Sequence, residues 1–154
     1  MEGDAAVISI LNDALTAELT AVNQYFISAK LAAHWGYPAL AAEYRGESIE
    51  EMKHAELLID RILFLDGVPN MQRLSPVQVG ESVVEQFTLN REGEVYAIDL
   101  YRRGVQVCEA AGDPGSRMLF ETLLQDEEHH LDEADAALTH LEQVGEALWL
   151  SKWA

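Results

Sequence analysis

Glu50-Glu51-Met52-Lys53-His54 places a glutamate and a histidine, Glu51 and His54, three residues apart in a run of helix-forming residues. On an α-helix that spacing sets both side chains on one face, a turn apart. The pair is half of a metal site. Glu127-Glu128-His129-His130 repeats the spacing in Glu127 and His130. A single offset of 76 residues relates Glu51 to Glu127, His54 to His130, and the lone Glu18 to Glu94. Each lone glutamate precedes its Glu-x-x-His by 33 residues, and Ala21 and Tyr25 recur as Ala97 and Tyr101. The second half of the chain therefore restates the first.

The apolar pattern around these residues has helical period. Leu11, Leu15, Val22 and Ala29 share one stripe with Glu18 and Tyr25 over a first helix from about Ala5 to Ala33. Tyr44, Ala55, Leu58, Ile62 and Leu65 flank Glu51 in a second, from about Pro38 to Asp66. Phe87, Ile98, Tyr101, Val105 and Cys108 flank Glu94 in a third, from about Glu81 to Ala111. Leu123, Leu131, Ala134, Leu138 and Leu141 flank Glu127 in a fourth, from Gly115 or Ser116 to about Val144. Asn12 and Asp13 make poor caps for the first helix, and Gly93, which weakens a helix, points to a close backbone approach beside Glu94.

The breaks at His34–Pro38 and Gly112–Gly115 are short, so each joins antiparallel neighbours. The interruption from Gly67 to Gly80 is longer and carries Pro69 and Pro76. Its fourteen residues reach roughly 46 Å when extended, against roughly 42 Å for a helix of 28 residues. It can cross the whole bundle and start the third helix parallel to the second. The expected fold is all-α, one domain over residues 1–154: a ferritin-like four-helix bundle with a long crossover between helices two and three. A short fifth helix follows Gly145, and its Trp149 and Trp153 are expected at an oligomer interface, with packing on their own bundle as the alternative.

The formal net charge is -17, from 27 acidic and 10 basic residues. Such a field repels nucleic acid and attracts cations. No apolar run near 18 residues is expected, and the start, Met1-Glu2-Gly3-Asp4, is acidic. These features indicate no membrane span and no secretory signal. Cys108 stands alone, in keeping with a reducing compartment. A cytoplasmic protein is expected.

Glutamates in apolar stripes need partners, because an unpaired buried charge costs several kcal/mol. Glu18, Glu51, Glu94 and Glu127 with His54 and His130 offer four carboxylates and two imidazoles. That set suits two ions such as iron or manganese better than zinc, and it is the known ligand pattern of di-iron carboxylate bundles. Electrons leave two such irons together toward O2 or peroxide. A metal-free network is the rival reading, opposed by mutual repulsion among four carboxylates with only histidines to neutralise them. Tyr25 and Tyr101 have two readings: hydrogen bonds to the ligands or reduction of a radical intermediate, or core aromatics with satisfied hydroxyls. Met52 points about 100° from the metal stripe. With Ile49 and Ile59, and with Leu19, Asn23 and Phe26 of the first helix, it forms an extra apolar face suited to dimerisation. Methionine also ligates haem, though it more often fills gaps.

Leu19 to Phe26 as Leu-Thr-Ala-Val-Asn-Gln-Tyr-Phe, Glu47 to Ala55 as Glu-Ser-Ile-Glu-Glu-Met-Lys-His-Ala, Arg61 to Leu65, Asp126 to His130 and the start Met1 to Asp4 together resemble bacterioferritin. The resemblance spans essentially the whole chain. It implies a homo-oligomeric cage of about twenty-four subunits built from twofold dimers. It also implies iron storage and ferroxidase activity, oxidising Fe(II) with O2 or H2O2. Two iron ions per subunit would sit with Glu18 and His54 on one, Glu94 and His130 on the other, and Glu51 and Glu127 bridging. Met52 matches the axial ligand of a haem b shared between two subunits, with Leu19, Asn23, Phe26 and Ile49 around it. A small iron-sulfur ferredoxin is the implied partner for iron release. Gly46 and Glu50 depart from members with a histidine and an aspartate in an extra inner-surface iron site. Gly46 has no side chain to ligate, which leaves a centre that passes iron inward as an alternative route.

A rubrerythrin-like di-iron peroxidase without storage is the main alternative, but a Cys-x-x-Cys module is beyond a single cysteine. A DNA-coating mini-ferritin would want basic termini, and a haem-bearing, catalytically weak subunit would not need all six ligands.

Overall fold

A computed structural model describes all 154 residues, in five helices: α1 (Ala5–His34), α2 (Pro38–Phe64), α3 (Val83–Ala110), α4 (Pro114–Val144) and α5 (Glu146–Ser151). The start of α1 is set by Asp4, whose carboxylate accepts from the amides of Ala6 at 2.8 Å and Val7 at 3.3 Å. Such a cap is worth about 1 kcal/mol. Gly36, at φ 90°, turns the chain, and Pro38 begins α2, where its missing N–H and fixed φ cost nothing. Asp113 caps α4 through the Ser116 amide and also pairs with Arg61 of α2, which ties the second hairpin to the first.

The crossover runs along α1 as the extended estimate requires, pinned by polar side chains spaced four apart. Asn12 donates to the Val68 carbonyl and accepts from the Asn70 amide. Thr16 accepts from Arg73, Thr20 from the Ser75 amide, and Gln24 from the Gln78 amide. Spacing of four is one helix face. One side of α1 faces the core and another holds the crossover.

Two apolar clusters fill the bundle. One gathers Val7, Leu11, Leu15, Leu58, Ile62, Leu100, Tyr101, Phe120 and Leu123. The other gathers Tyr25, Ala32, Leu40, Tyr44, Val83, Phe87, Trp149 and Trp153. Along every long helix the six glutamates and histidines fall between the two.

Three expectations are corrected. Trp149 and Trp153 are 0% and 5% exposed and pack on their own bundle, with ring centroids 5.1 and 5.8 Å from Phe87. A helix of six residues gains its stability by burying both indoles, so this face is unavailable to an oligomer; Leu148 points outward instead. At Gly93 nothing lies within 4 Å of an added Cβ. The close approach is at Gly104, where a Cβ would meet the Phe120 ring at 2.6 Å. Finally, α1 is long and apolar enough by composition to pass for a membrane span, with mean hydropathy 1.4 over 18 residues. Asn12, Asp13 and Glu18 interrupt its apolar runs, but the aliphatic residues between them hold the mean up, and in the fold its apolar stripe lies in the bundle core.

Candidate metal centre

All six residues expected at the site meet at mid-height of the bundle, and each is at most 7% exposed. They form two overlapping groups, Glu18–Glu51–His54–Glu127 and Glu51–Glu94–Glu127–His130; within each, one ligand atom per residue lies within 4.8 Å of the others. Glu51 and Glu127 belong to both. Glu127 turns Oε1 to His54 Nδ1 at 3.0 Å and Oε2 to His130 Nδ1 at 3.4 Å. Glu51 turns Oε2 to His54 Nδ1 and Oε1 to His130 Nδ1, both at 3.3 Å. Glu18 lies 3.4 Å from His54 and Glu94 3.7 Å from His130. A carboxylate with one oxygen in each half is the geometry of a bridging ligand.

The tyrosines are core aromatics whose hydroxyls are satisfied by the glutamates, crosswise. Tyr25 of α1 donates to Glu94 of α3 at 2.6 Å, and Tyr101 of α3 donates to Glu18 of α1. Both hydroxyls are buried, and each leaves its glutamate oriented into the site.

The polar atoms do not satisfy one another. Glu18 Oε2, Glu51 Oε1 and His130 Nδ1 are buried without a hydrogen-bond partner, although Glu51 Oε1 and His130 Nδ1 are within ion-pair reach. Buried orphans of this kind call for a further ligand. Carboxylate oxygens and an imidazole nitrogen facing one space are donors for divalent cations, so the residues fit a pair of irons.

The six groups hold their protons unequally. Burial, then the charge of Glu51, pushes Glu18 well above the usual carboxylate range. Burial, then the Glu127 hydrogen bond, does the same to Glu94. Burial also works against ionisation of Glu51 and Glu127, but hydrogen bonds from the neighbouring glutamates and the close approach of both imidazoles outweigh it and hold them low. For the imidazoles burial disfavours charge, yet the carboxylates overcome it: His54 is raised far above its ordinary value and His130 is pushed up to about 12. The site thus favours protons on two glutamates and two imidazoles and ionisation of the other two glutamates.

A cavity of about 90 Å³ reaches the glutamates from beneath the crossover, past Ala17, Ala21, Gly93 and Ala97. Gly93 lines this opening, which gives the glycine a place no packing contact explains. Met52 stands apart from the centre. It is 49% exposed, as is Phe26, and Ile49 is 44% exposed.

Sequence reasoning missed three carboxylates that face the outer nitrogens of the histidines. Asp126 lies 2.9 Å from His54 Nε2, while Glu50 and Glu47 lie 3.0 and 3.3 Å from His130 Nε2. The offset of 76 was the available signal for two of them, since it relates Glu50 to Asp126.

The ferritin-like domain family matches residues 8–144. A bacterioferritin of Streptomyces coelicolor is 54% identical over 98% of this chain and 90% of its own length. The chain belongs to the bacterioferritins. Structures in the family superimpose closely. That of Mycobacterium tuberculosis bacterioferritin has a TM-score of 0.98 at 40% identity and covers 100% of this chain and 97% of its own. Rhodobacter capsulatus bacterioferritin, solved with a metal-free dinuclear site and its haem iron in a crystallographic special position, has the same TM-score at 42% identity, covering 100% and 96%.

Proposed function

We propose that this protein is an iron-storage ferroxidase of the cytoplasm, which oxidises Fe(II) at the paired site and keeps the ferric product as mineral inside a cage of about 24 copies of the chain. The observation that carries the reading is the divided geometry of Glu51 and Glu127, with one oxygen of each in either half of the site. Two Fe(II) ions are the substrate. Glu18 and His54 hold one, Glu94 and His130 the other, and the two shared glutamates bridge. Each iron gives up one electron, so the pair with two protons reduces O2 to H2O2, or with two protons reduces H2O2 to two waters.

The chain's own part is charge balance and access. Four carboxylates with two neutral imidazoles carry the charge that two divalent cations cancel, so metal takes the place of protons in a buried site without leaving net charge there. The acidic surface draws cations toward the protein, and the opening beside Gly93 leads to the glutamates. Tyr25 and Tyr101 fix the terminal glutamates. Met52, with Phe26 and Ile49, is suited to a haem b shared by two subunits, which supplies a redox centre when bound. A haem iron in a special position, as in the Rhodobacter capsulatus relative, is the setting a group shared equally by two copies takes. The small iron-sulfur ferredoxin implied by the resemblance is the proposed reductant for iron release.

Glu51→Ala and His54→Ala test the site. Each should abolish rapid Fe(II) oxidation by stopped-flow absorbance while gel filtration still shows the wild-type assembly. Wild-type rates in both variants would remove the site from the account.

A further inference from the structure

We propose that Asp126 and Glu50 are positioning residues that hold His54 and His130 with Nε2–H outward and Nδ1 toward the paired glutamates. The inference rests on the two-metal reading and extends it to side chains outside the ligand set.

The contacts are reciprocal. Asp126 of α4 is 2.9 Å from Nε2 of His54 on α2, and Glu50 of α2 is 3.0 Å from Nε2 of His130 on α4. Each carboxylate is the chain neighbour of a shared glutamate, Glu127 or Glu51, and each reaches across to the histidine of the other helix. The offset of 76 that relates the ligands relates these two as well, so the approximate twofold of the centre includes them. Neither carboxylate has another side-chain partner within ion-pair reach. Both are about half exposed at the side chain, while the imidazoles they meet are at most 8% exposed. Each can therefore keep water on one oxygen while the other fixes a buried ring.

The chemistry follows from the two ring nitrogens. A neutral imidazole carries one N–H and one lone pair, and the partner of one nitrogen decides where the lone pair lies. With the proton held at Nε2 by a carboxylate, the lone pair is at Nδ1, which faces Glu51 and Glu127 in both halves. The carboxylate also raises the basicity of the ring, and loss of such a partner typically weakens metal binding by about 10- to 100-fold. The halves differ in one respect: Glu47 lies 3.3 Å from the same nitrogen of His130 and can substitute for Glu50, whereas His54 has Asp126 alone.

Anaerobic titration of the metal-free, full-length protein with Co(II), followed by visible d–d absorption, tests this without turnover. Wild type should bind two Co(II) per chain. Asp126→Ala should leave one at wild-type affinity and weaken the other by about 10- to 100-fold. Asp126→Asn, which keeps an acceptor oxygen, should recover part of that loss. Glu50→Ala should weaken one Co(II) less than Asp126→Ala does, and the Glu47→Ala/Glu50→Ala double variant should match it. Glu128→Ala removes a neighbouring acidic charge that touches neither histidine, and should titrate as wild type. Wild-type titrations for Asp126→Ala and the double variant would overturn the inference while leaving the two-metal site standing. An equal loss in Glu128→Ala would overturn it too, by reducing the effect to charge alone. Failure of wild type to bind two Co(II) would instead bring down the two-metal reading, and this inference with it.

Discussion

Among single residues, protons on Glu18, Glu94, His54 and His130 stand where two divalent cations would otherwise balance the glutamates. All four groups hold protons more tightly in the fold than in the unfolded chain. Their contribution to stability is therefore complete at low pH and falls as pH rises, across 6.5 to about 12 in the case of His130. Glu51 and Glu127 act in the opposite sense, but only below the ordinary carboxylate range. The melting temperature of the metal-free protein should accordingly fall between about pH 7 and pH 9, and saturating divalent metal should remove the fall. Isothermal calorimetry in buffers of different ionisation enthalpy should show protons released on binding, with affinity rising with pH. A flat pH response would contradict the proton balance. The ligands were legible because Glu-x-x-His fixes two of them on one helix turn and the repeat supplies the rest. Asp126 and Glu50 were not, because a contact from α4 to α2 depends on the axial register of two helices, which no local spacing encodes.

For the helices and their connections, two glycines within α3 act in opposite ways. Gly93 has free space where a Cβ would go, so Gly93→Ala should gain about 1 kcal/mol of helix propensity, read from urea unfolding. Gly104→Ala drives a Cβ into the Phe120 ring and should cost about 1–3 kcal/mol. Equal effects would show that the α3–α4 packing is misassigned. The sequence pattern showed that a glycine interrupted α3 near the site but not which glycine the packing needed, since that depends on where Phe120 of α4 falls. Helix bounds were readable to within a few residues from stripes and breakers. The role of α5 was not, because six residues carry too little periodicity to say which partner buries Trp149 and Trp153. The length of the crossover was readable, but its polar ladder on α1 was not, for Asn12, Thr16, Thr20 and Gln24 look like any solvated face until the strap lies on them.

In the whole molecule, the repeat produces a bundle whose centre has approximate twofold symmetry and whose outer face does not. Phe26, Ile49 and Met52 are 49%, 44% and 49% exposed, large apolar side chains of the kind that pairing with a second copy would cover. Met52→Ala should lose haem absorbance in protein purified after haem supplementation, yet keep Fe(II) oxidation at the wild-type rate, since Met52 lies outside the centre. Full haem retention in the variant would take Met52 out of the cofactor site. The most direct test of the account as a whole is aerobic addition of Fe(II) to the purified protein, following ferric absorbance as iron per chain rises well past two. Rapid oxidation of two irons per chain, continuing into a soluble mineral of many irons per chain, is the predicted result. A reaction that stops at two, with further iron precipitating, would keep the di-iron chemistry but contradict storage.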